Sequence, residues 1–189
     1  MFNIDWDELK LVNIVGSGDL GVEIDLTHLV SDLTVTSSSY TPEQFPGLQI
    51  KFEEDLPLCN LFNSGKYTVV GAKSCDKLFA AQNRLIKELG KLDIVPDDFT
   101  DDGFDVRNIV CTYNLKVELD LDSVTLKLGL ENVEYEPEQS PFVVYKPESE
   151  GVTITIPANG RIMVTGITDK EEALTAVSQL SEKLGVNGD

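Results

Sequence analysis

Histidine is nearly missing from this chain. His28 is the only one, so neither a histidine-based catalytic triad nor a histidine-rich metal site can be assembled. Cysteine is scarce too: Cys59, Cys75 and Cys111 are odd in number and far apart. That spacing gives no disulfide framework and no C-x-x-C metal motif. All three are expected to be small buried thiols of a reducing compartment. No apolar run approaches the ~20 residues of a membrane span. Met1-Phe2-Asn3-Ile4-Asp5 lacks the basic and apolar segments of a secretory signal, so a cytoplasmic protein is expected. Gly16-Ser17-Gly18 has none of the rest of a phosphate-binding loop, and Asn63-Ser64-Gly65-Lys66 reads as a hairpin turn. The acidic clusters lack calcium-loop spacing. No nucleophile stands beside a base, so no enzyme, metal or cofactor is expected.

Positive charge is also in short supply. Fifteen Lys and Arg face 33 Asp and Glu, for a net charge of -18. Such acidity favours solubility and opposes nonspecific binding to nucleic acid. The acids are clustered, however, at Glu53-Glu54-Asp55, Asp97-Asp98, Asp101-Asp102, and Glu148 with Glu150. A neutral or basic face remains open to such a chain, as does adaptation to high internal salt.

What the chain does contain, it contains twice. Asn13-Ile14-Val15 returns as Asn108-Ile109-Val110, and Val22-Glu23-Ile24-Asp25-Leu26 as Val117-Glu118-Leu119-Asp120-Leu121. Tyr40, Pro42, Glu43, Gln44 and Pro46 return as Tyr135, Pro137, Glu138, Gln139 and Pro141. Roughly 23 of the 78 positions from Asn13 to Gly90 recur without a gap in Asn108 to Gly185. The chain is read as two copies of one unit, residues 1–94 and 95–189, related by a pseudo-twofold axis. Duplex DNA is the commonest target with that symmetry.

Each copy reads β-α-β-β-β-β-α. Strands are expected at Leu11 to Ser17, Val35 to Tyr40, Leu48 to Phe52, Leu58 to Phe62 and Tyr67 to Val70. A short helix is expected over Asp25 to Leu33, with Asp25, and Asp120 in the second copy, as N-caps. A long helix is expected over Ser74 to Leu89, capped by Ser74 and closed by Gly90 as the C′ residue. Leu78, Ala81, Leu85 and Leu89 make its apolar stripe. Its counterpart begins at Thr168 or Asp169 and carries Ala173, Leu174, Val177, Leu180 and Leu184. Residues 91–105 read as an Asp-rich connection. Helices on one sheet face leave the other uncovered, with Val15, Phe45, Phe62 and Val70 on it. An exposed apolar surface of that size marks a binding site.

The run Asn13 to Val15, then Tyr40 to Leu48 (Tyr-x-Pro-Glu-Gln-Phe-Pro-Gly-Leu), Leu61 to Lys66 (Leu-Phe-x-Ser-Gly-Lys) and Val69 to Ser74 (Val-x-Gly-Ala-Lys-Ser) resembles the TATA-binding protein core. The second copy, at Asn108 to Val110 and Leu128 to Gln139, looks like the archaeal version. The resemblance covers about 175 residues. It implies an α+β saddle: a curved ten-stranded antiparallel sheet on the DNA minor groove, with four helices on the convex side. That groove offers mainly acceptors, to which a neutral Asn amide can donate. In the family, itself a standard example of the effect, Phe side chains are wedges that unstack base steps and bend the duplex.

By resemblance, Asn13 and Asn108 would meet central base edges. Val15, Val70, Val110 and Thr165 would pack on the groove floor, and Phe45 and Phe62 would be wedges. Lys51, Lys66, Lys73, Lys146 and Arg161 would neighbour phosphates. Glu136, Glu138 and Gln139 would meet transcription factor B. The expected partners are TATA-box DNA, transcription factor B and, when free, a second copy through the concave face. The expected place is the nucleoid of an archaeal cell.

The second copy departs from this pattern. Phe45 corresponds to Ser140 and Phe62 to Pro157, while Phe142 stands where the first copy has Gly47. Core positions are seldom replaced by both Ser and Pro, so Phe45 and Phe62 are expected to be exposed. Acids stand at Glu53 to Asp55 and Glu148 to Glu150, where relatives carry bases, and Lys73 becomes Thr168. A single strong kink, weaker affinity and looser A·T preference are expected. The alternative reading is a paralogue with weakened DNA binding that regulates transcription through protein contacts. A third reading, a catalytic domain on this fold, has no site to support it.

Overall fold

The computed structural model describes residues 9–148 and 151–186. Glu150, one of the acids noted above, and its neighbour Ser149 thus lie outside the described residues. The chain divides into two compact units. One is Asn13–Arg107; the other is made by the described residues of Met1–Val12 and Asn108–Asp189.

The first unit contains β1 (Lys10–Asp19) from Asn13 onward, α1 (Leu26–Asp32), β2 (Ser37–Ser39), β3 (Leu48–Lys51), β4 (Leu58–Leu61), β5 (Lys66–Ala72) and α2 (Cys75–Lys91). The strands lie in the order β2-β3-β4-β5-β1, antiparallel throughout. The second unit repeats the plan with β6 (Asp105–Asn114) from Asn108 onward, α3 (Leu121–Leu128), β7 (Val133–Glu134), β8 (Phe142–Tyr145), β9 (Thr153–Pro157), β10 (Arg161–Ile167) and α4 (Lys170–Leu184). Its order is β6-β10-β9-β8-β7, again antiparallel.

Period-two patterning decides which side of each sheet is covered. In the first unit Leu48, Ile50, Cys59, Leu61, Tyr67 and Val69 are fully buried, and α2 packs on β4 and β5. Its stripe of Leu78, Ala81, Leu85 and Leu89 is inaccessible to solvent, each leucine contributing about 1.5–3 kcal/mol. In the second unit Val143, Ile154, Ile156, Ile162 and Val164 are buried beside Ala173, Val177 and Leu180 of α4. The core is thus the helix-covered side of each sheet.

The helix starts follow the capping chemistry. Asp25 accepts from the Thr27 and His28 amides, and Asp120 from Asp122. Ser74 accepts from Lys77. In the last helix the cap is Asp169, which accepts from Glu172 at 2.8 Å. The Glu172 carboxylate reaches back to the Thr168 amide at 2.7 Å, which resembles the reciprocal bonding of a capping box.

Three expectations are corrected. Gly90 is not a C′ residue: α2 continues to Lys91 and ends at Leu92. The left-handed turn is taken by Asp93 at φ 55, because Ile94 folds back to donate to the Leu89 carbonyl. At the end of α4, by contrast, Gly185 does cap in the left-handed conformation. The strand expected over Val35 to Tyr40 shrinks to Ser37–Ser39, since only those residues pair with β3. Cys75 is exposed at the first position of α2, whereas Cys59 and Cys111 are buried. Burial pushes the Cys59 thiol up to about 12 and raises Cys111.

The connection after α2 is more than a polar tether. Phe104 stacks on Tyr67 at 5.8 Å and meets Phe79 edge-on at 5.7 Å. Asp101 accepts from the Tyr67 hydroxyl at 2.8 Å and the Asp19 amide at 3.0 Å. These contacts place the segment in the first unit.

Candidate nucleic-acid interface

In each unit the side of the sheet away from the helices is half-exposed and chemically neutral. In the first it carries Asn13, Val15 and Ser17 of β1, Thr68 and Val70 of β5, Leu58 and Asn60 of β4, and Gln49 of β3. In the second it carries Asn108, Val110 and Thr112 of β6, Met163 and Thr165 of β10, Thr153 and Thr155 of β9, and Phe142 and Val144 of β8. None of these positions is acidic, in a chain with 33 carboxylate side chains. Carboxylates opposite phosphates would repel, so this partition leaves the face open to a polyanion.

The two asparagines are held identically. Asn13 Oδ1 accepts from the Gly71 amide at 2.9 Å, and Asn108 Oδ1 accepts from Gly166 at 2.9 Å. The glycines sit at φ 88 and φ 77, where the β1–β5 and β10–β6 ladders shift register. These are bulge positions at which the ladder leaves an amide for a side chain. A backbone amide can only donate, so the oxygen of each Asn must face it, leaving the Nδ2 donors for other partners.

Phe45 and Phe62 are not under the helices. Both are half-buried against each other, with ring centroids 5.8 Å apart and planes at 59°. Phe62 follows the end of β4, and Phe45 lies in the turn before β3, whose Phe45 amide donates to the Thr41 carbonyl. Val15, Val70, Val110 and Thr165 are likewise half-buried. Ser140 and Pro157 occupy the equivalent places in the second unit, where Pro157 pairs with Phe142.

The cations differ in availability. Lys66, Lys73 and Arg161 are exposed, with no ion pair to another described residue. Lys51 is half-buried, and its ammonium donates to the Leu56 carbonyl. Lys146 is engaged by Glu134 at 2.5 Å. Glu136, Glu138 and Gln139 are exposed in the turn before β8, where the Gln139 amide donates to Glu136.

Sequence reasoning missed two features here. Lys10 joins Arg161, Thr112, Tyr113 and Asn114 around a cavity of about 300 Å³; Lys10 lies far from the others in the chain, so no local spacing could have indicated it. Asn60 is 8% exposed and donates to Thr68 Oγ1 at 3.2 Å. Its Oδ1 is buried without a hydrogen-bond partner among the described residues. An Asn in an apolar strand was the available signal.

Comparison with known proteins gives one consistent result. The family model described as "Transcription factor TFIID (or TATA-binding protein, TBP)" matches residues 8–92 and 103–185. TATA-box-binding protein C of Halobacterium salinarum is 40% identical over 176 residues, covering 93% of this chain and 97% of that protein. The TATA-box-binding protein of Archaeoglobus fulgidus is 36% identical over 181 residues, covering 96% and 97%. The solved structure of Methanococcus jannaschii TBP matches with a TM-score of 0.80 at 33% identity, covering 94% of this chain and 98% of that one. The antiparallel strands and four helices described above are thus those of a known fold, and the chain belongs to the TATA-binding protein family.

Proposed function

We propose that this chain is a general transcription initiation factor that binds the minor groove of A/T-rich TATA-box DNA, bends it and recruits transcription factor B. The observation that carries this reading is the matched pair of asparagines. With each Oδ1 committed to a glycine amide, each side chain offers donors to a groove whose floor presents acceptors. Val15, Val70, Val110 and Thr165 pack on that floor, and Phe45 with Phe62 enters a base step as an apolar wedge. Lys66, Lys73 and Arg161 meet phosphates directly; Lys51 and Lys146 do so after exchanging their present partners. Glu136, Glu138 and Gln139 receive transcription factor B, and a second copy covers the uncovered face when DNA is absent. The protein acts at the nucleoid of an archaeal cell. Among the described residues no helix is long and apolar enough to cross a membrane.

A second reading is favoured by the ion pair at Lys146 and the overall acidity: a paralogue with weakened DNA binding that regulates through protein contacts. Fluorescence anisotropy with labelled TATA and scrambled duplexes, with and without transcription factor B, separates the two. TATA preference that strengthens when transcription factor B is added supports the first. No TATA preference, with retained protein binding, supports the second and overturns the first.

A further inference from the structure

The two units solve one packing problem in two ways. In the first, a Cβ added to Gly47 would stand 2.7 Å from Phe45 Cε1 and 2.9 Å from Phe62 Cε1. Those distances are shorter than carbon atoms tolerate, so the paired rings require glycine at position 47. They occupy the space its side chain would fill. The second unit changes all three positions together: Ser140 for Phe45, Phe142 for Gly47, Pro157 for Phe62.

The exchange is complementary. With no ring at position 140 or 157, the volume above β8 is free for a large side chain at 142. Ser140 turns its hydroxyl to the backbone, donating to the Phe142 carbonyl at 3.3 Å and accepting from the Phe142 amide at 3.4 Å. Phe142 pairs in register with Pro157 and shares the uncovered side with Val144, while Val143 and Tyr145 point to the core. It stays half-exposed. A two-ring wedge has become one ring backed by a rigid pyrrolidine. Both Phe and Pro are side-chain types that can enter a base step.

We propose that Phe142, supported by Pro157, is the wedge of the second unit, so that bound DNA is opened at two base steps. The proposal rests on the minor-groove reading given above. It replaces the single kink expected from the loss of Phe at 140 and 157 with two unequal ones. One ring unstacks less than two, so the step met by the second unit opens less.

The test uses TATA duplexes carrying 2-aminopurine, whose fluorescence rises on unstacking, at one end of the site or at the other. Binding is measured separately by anisotropy. The wild-type chain is expected to brighten both reporters, unequally. F142A is expected to lower the signal summed over the two ends, which holds whichever way round the protein sits, while still binding. The double variant F45A/F62A should remove the larger part. S140F/F142G/P157F, which installs the first unit's set, should raise the summed signal above wild type. Because Phe142 is half-exposed, F142A should keep the wild-type melting profile, and the triple variant guards against misfolding as the explanation. An unchanged summed signal in F142A overturns the proposal, as does brightening at one end only by the wild type. Absence of wild-type binding to the duplex sinks the minor-groove reading itself, and the anisotropy channel identifies that outcome.

Discussion

Asn13 Oδ1 accepts the Gly71 amide at 2.9 Å, and this bond fixes which end of the side chain faces away from the protein. Substitution to aspartate isolates that end. Asn13→Asp keeps an oxygen for Gly71 and so keeps the bulge, but it replaces the outward amine with a charged acceptor. Facing groove acceptors and phosphates, that oxygen repels. We expect at least about tenfold weaker TATA binding, or ~1.4 kcal/mol, with little change in urea midpoint. Asn108→Asp should behave likewise, since Asn108 is held in the same way by Gly166. Equal anisotropy curves for wild type and variant would refute the assignment.

Gly71 and Gly166 are equivalent in sequence and in φ, yet their surroundings differ. Nothing lies within 4 Å of a Cβ added to Gly71, whereas one on Gly166 would fall 1.9 Å from the Gly151 carbonyl oxygen. Gly71→Ala therefore meets only the left-handed backbone penalty, about 1–2 kcal/mol. Gly166→Ala must also displace backbone, and we expect a loss above about 3 kcal/mol. Urea denaturation of the two variants compares them directly. Equal losses would show that the second-unit loop yields freely.

How far the sequence carried depends on the kind of interaction. The repeat, the helix stripes and the caps at Asp25, Ser74 and Asp120 were legible because they depend on local spacing. The placement of Phe45 and Phe62 outside the fully buried core was legible too, since a sister unit had dispensed with both rings, but their full exposure was not borne out: packing on each other leaves them half-buried. Gly90 was misread because its fate depends on Ile94 returning to Leu89, a contact beyond the helix itself. The differing availability of the lysines was illegible for a related reason. Nothing in the spacing of Glu134 and Lys146 says that β7, which carries Glu134, pairs with β8, which ends just before Lys146.

The only histidine gives a clean titration. His28 Nδ1 lies 2.6 Å from Asp25 Oδ2, and this hydrogen bond, with the aspartate's charge, raises the imidazole above 6.5. The same bond lowers Asp25 below 3.8. A raised folded-state value means that the His28 contribution to stability is fully present below pH 6.5 and is lost as pH rises through the folded value. The Asp25 contribution is present above pH 3.8 and is lost as pH falls through its depressed value. Both groups are exposed, so the effect on stability is small, while the NMR shift of the single imidazole reports it without overlap. In Asp25→Asn, which can still cap the helix, the His28 midpoint should fall toward 6.5. An unmoved midpoint would remove the pair from the account.

Tyr67 and Asp101 form a further asymmetry between the units. The Tyr67 ring is inaccessible, and its hydroxyl donates to Asp101 at 2.8 Å while accepting from Gln82 at 3.3 Å. Burial first, and Asp101 second, raise the phenol far above its usual range. The second unit has Ile162 at this place, so it needs no such carboxylate. Asp101→Ala leaves a buried hydroxyl proton without its acceptor, at a cost of about 1–3 kcal/mol. Asp98→Ala, at an exposed position of the same connection, should stay within about 0.5 kcal/mol of wild type. In Tyr67→Phe the hydroxyl is gone and Asp101 keeps only the Asp19 amide, so adding Asp101→Ala should then cost less than it does alone. A double-mutant cycle by urea denaturation measures that difference. If the two losses simply add, the hydroxyl–carboxylate bond does not anchor the connection after α2.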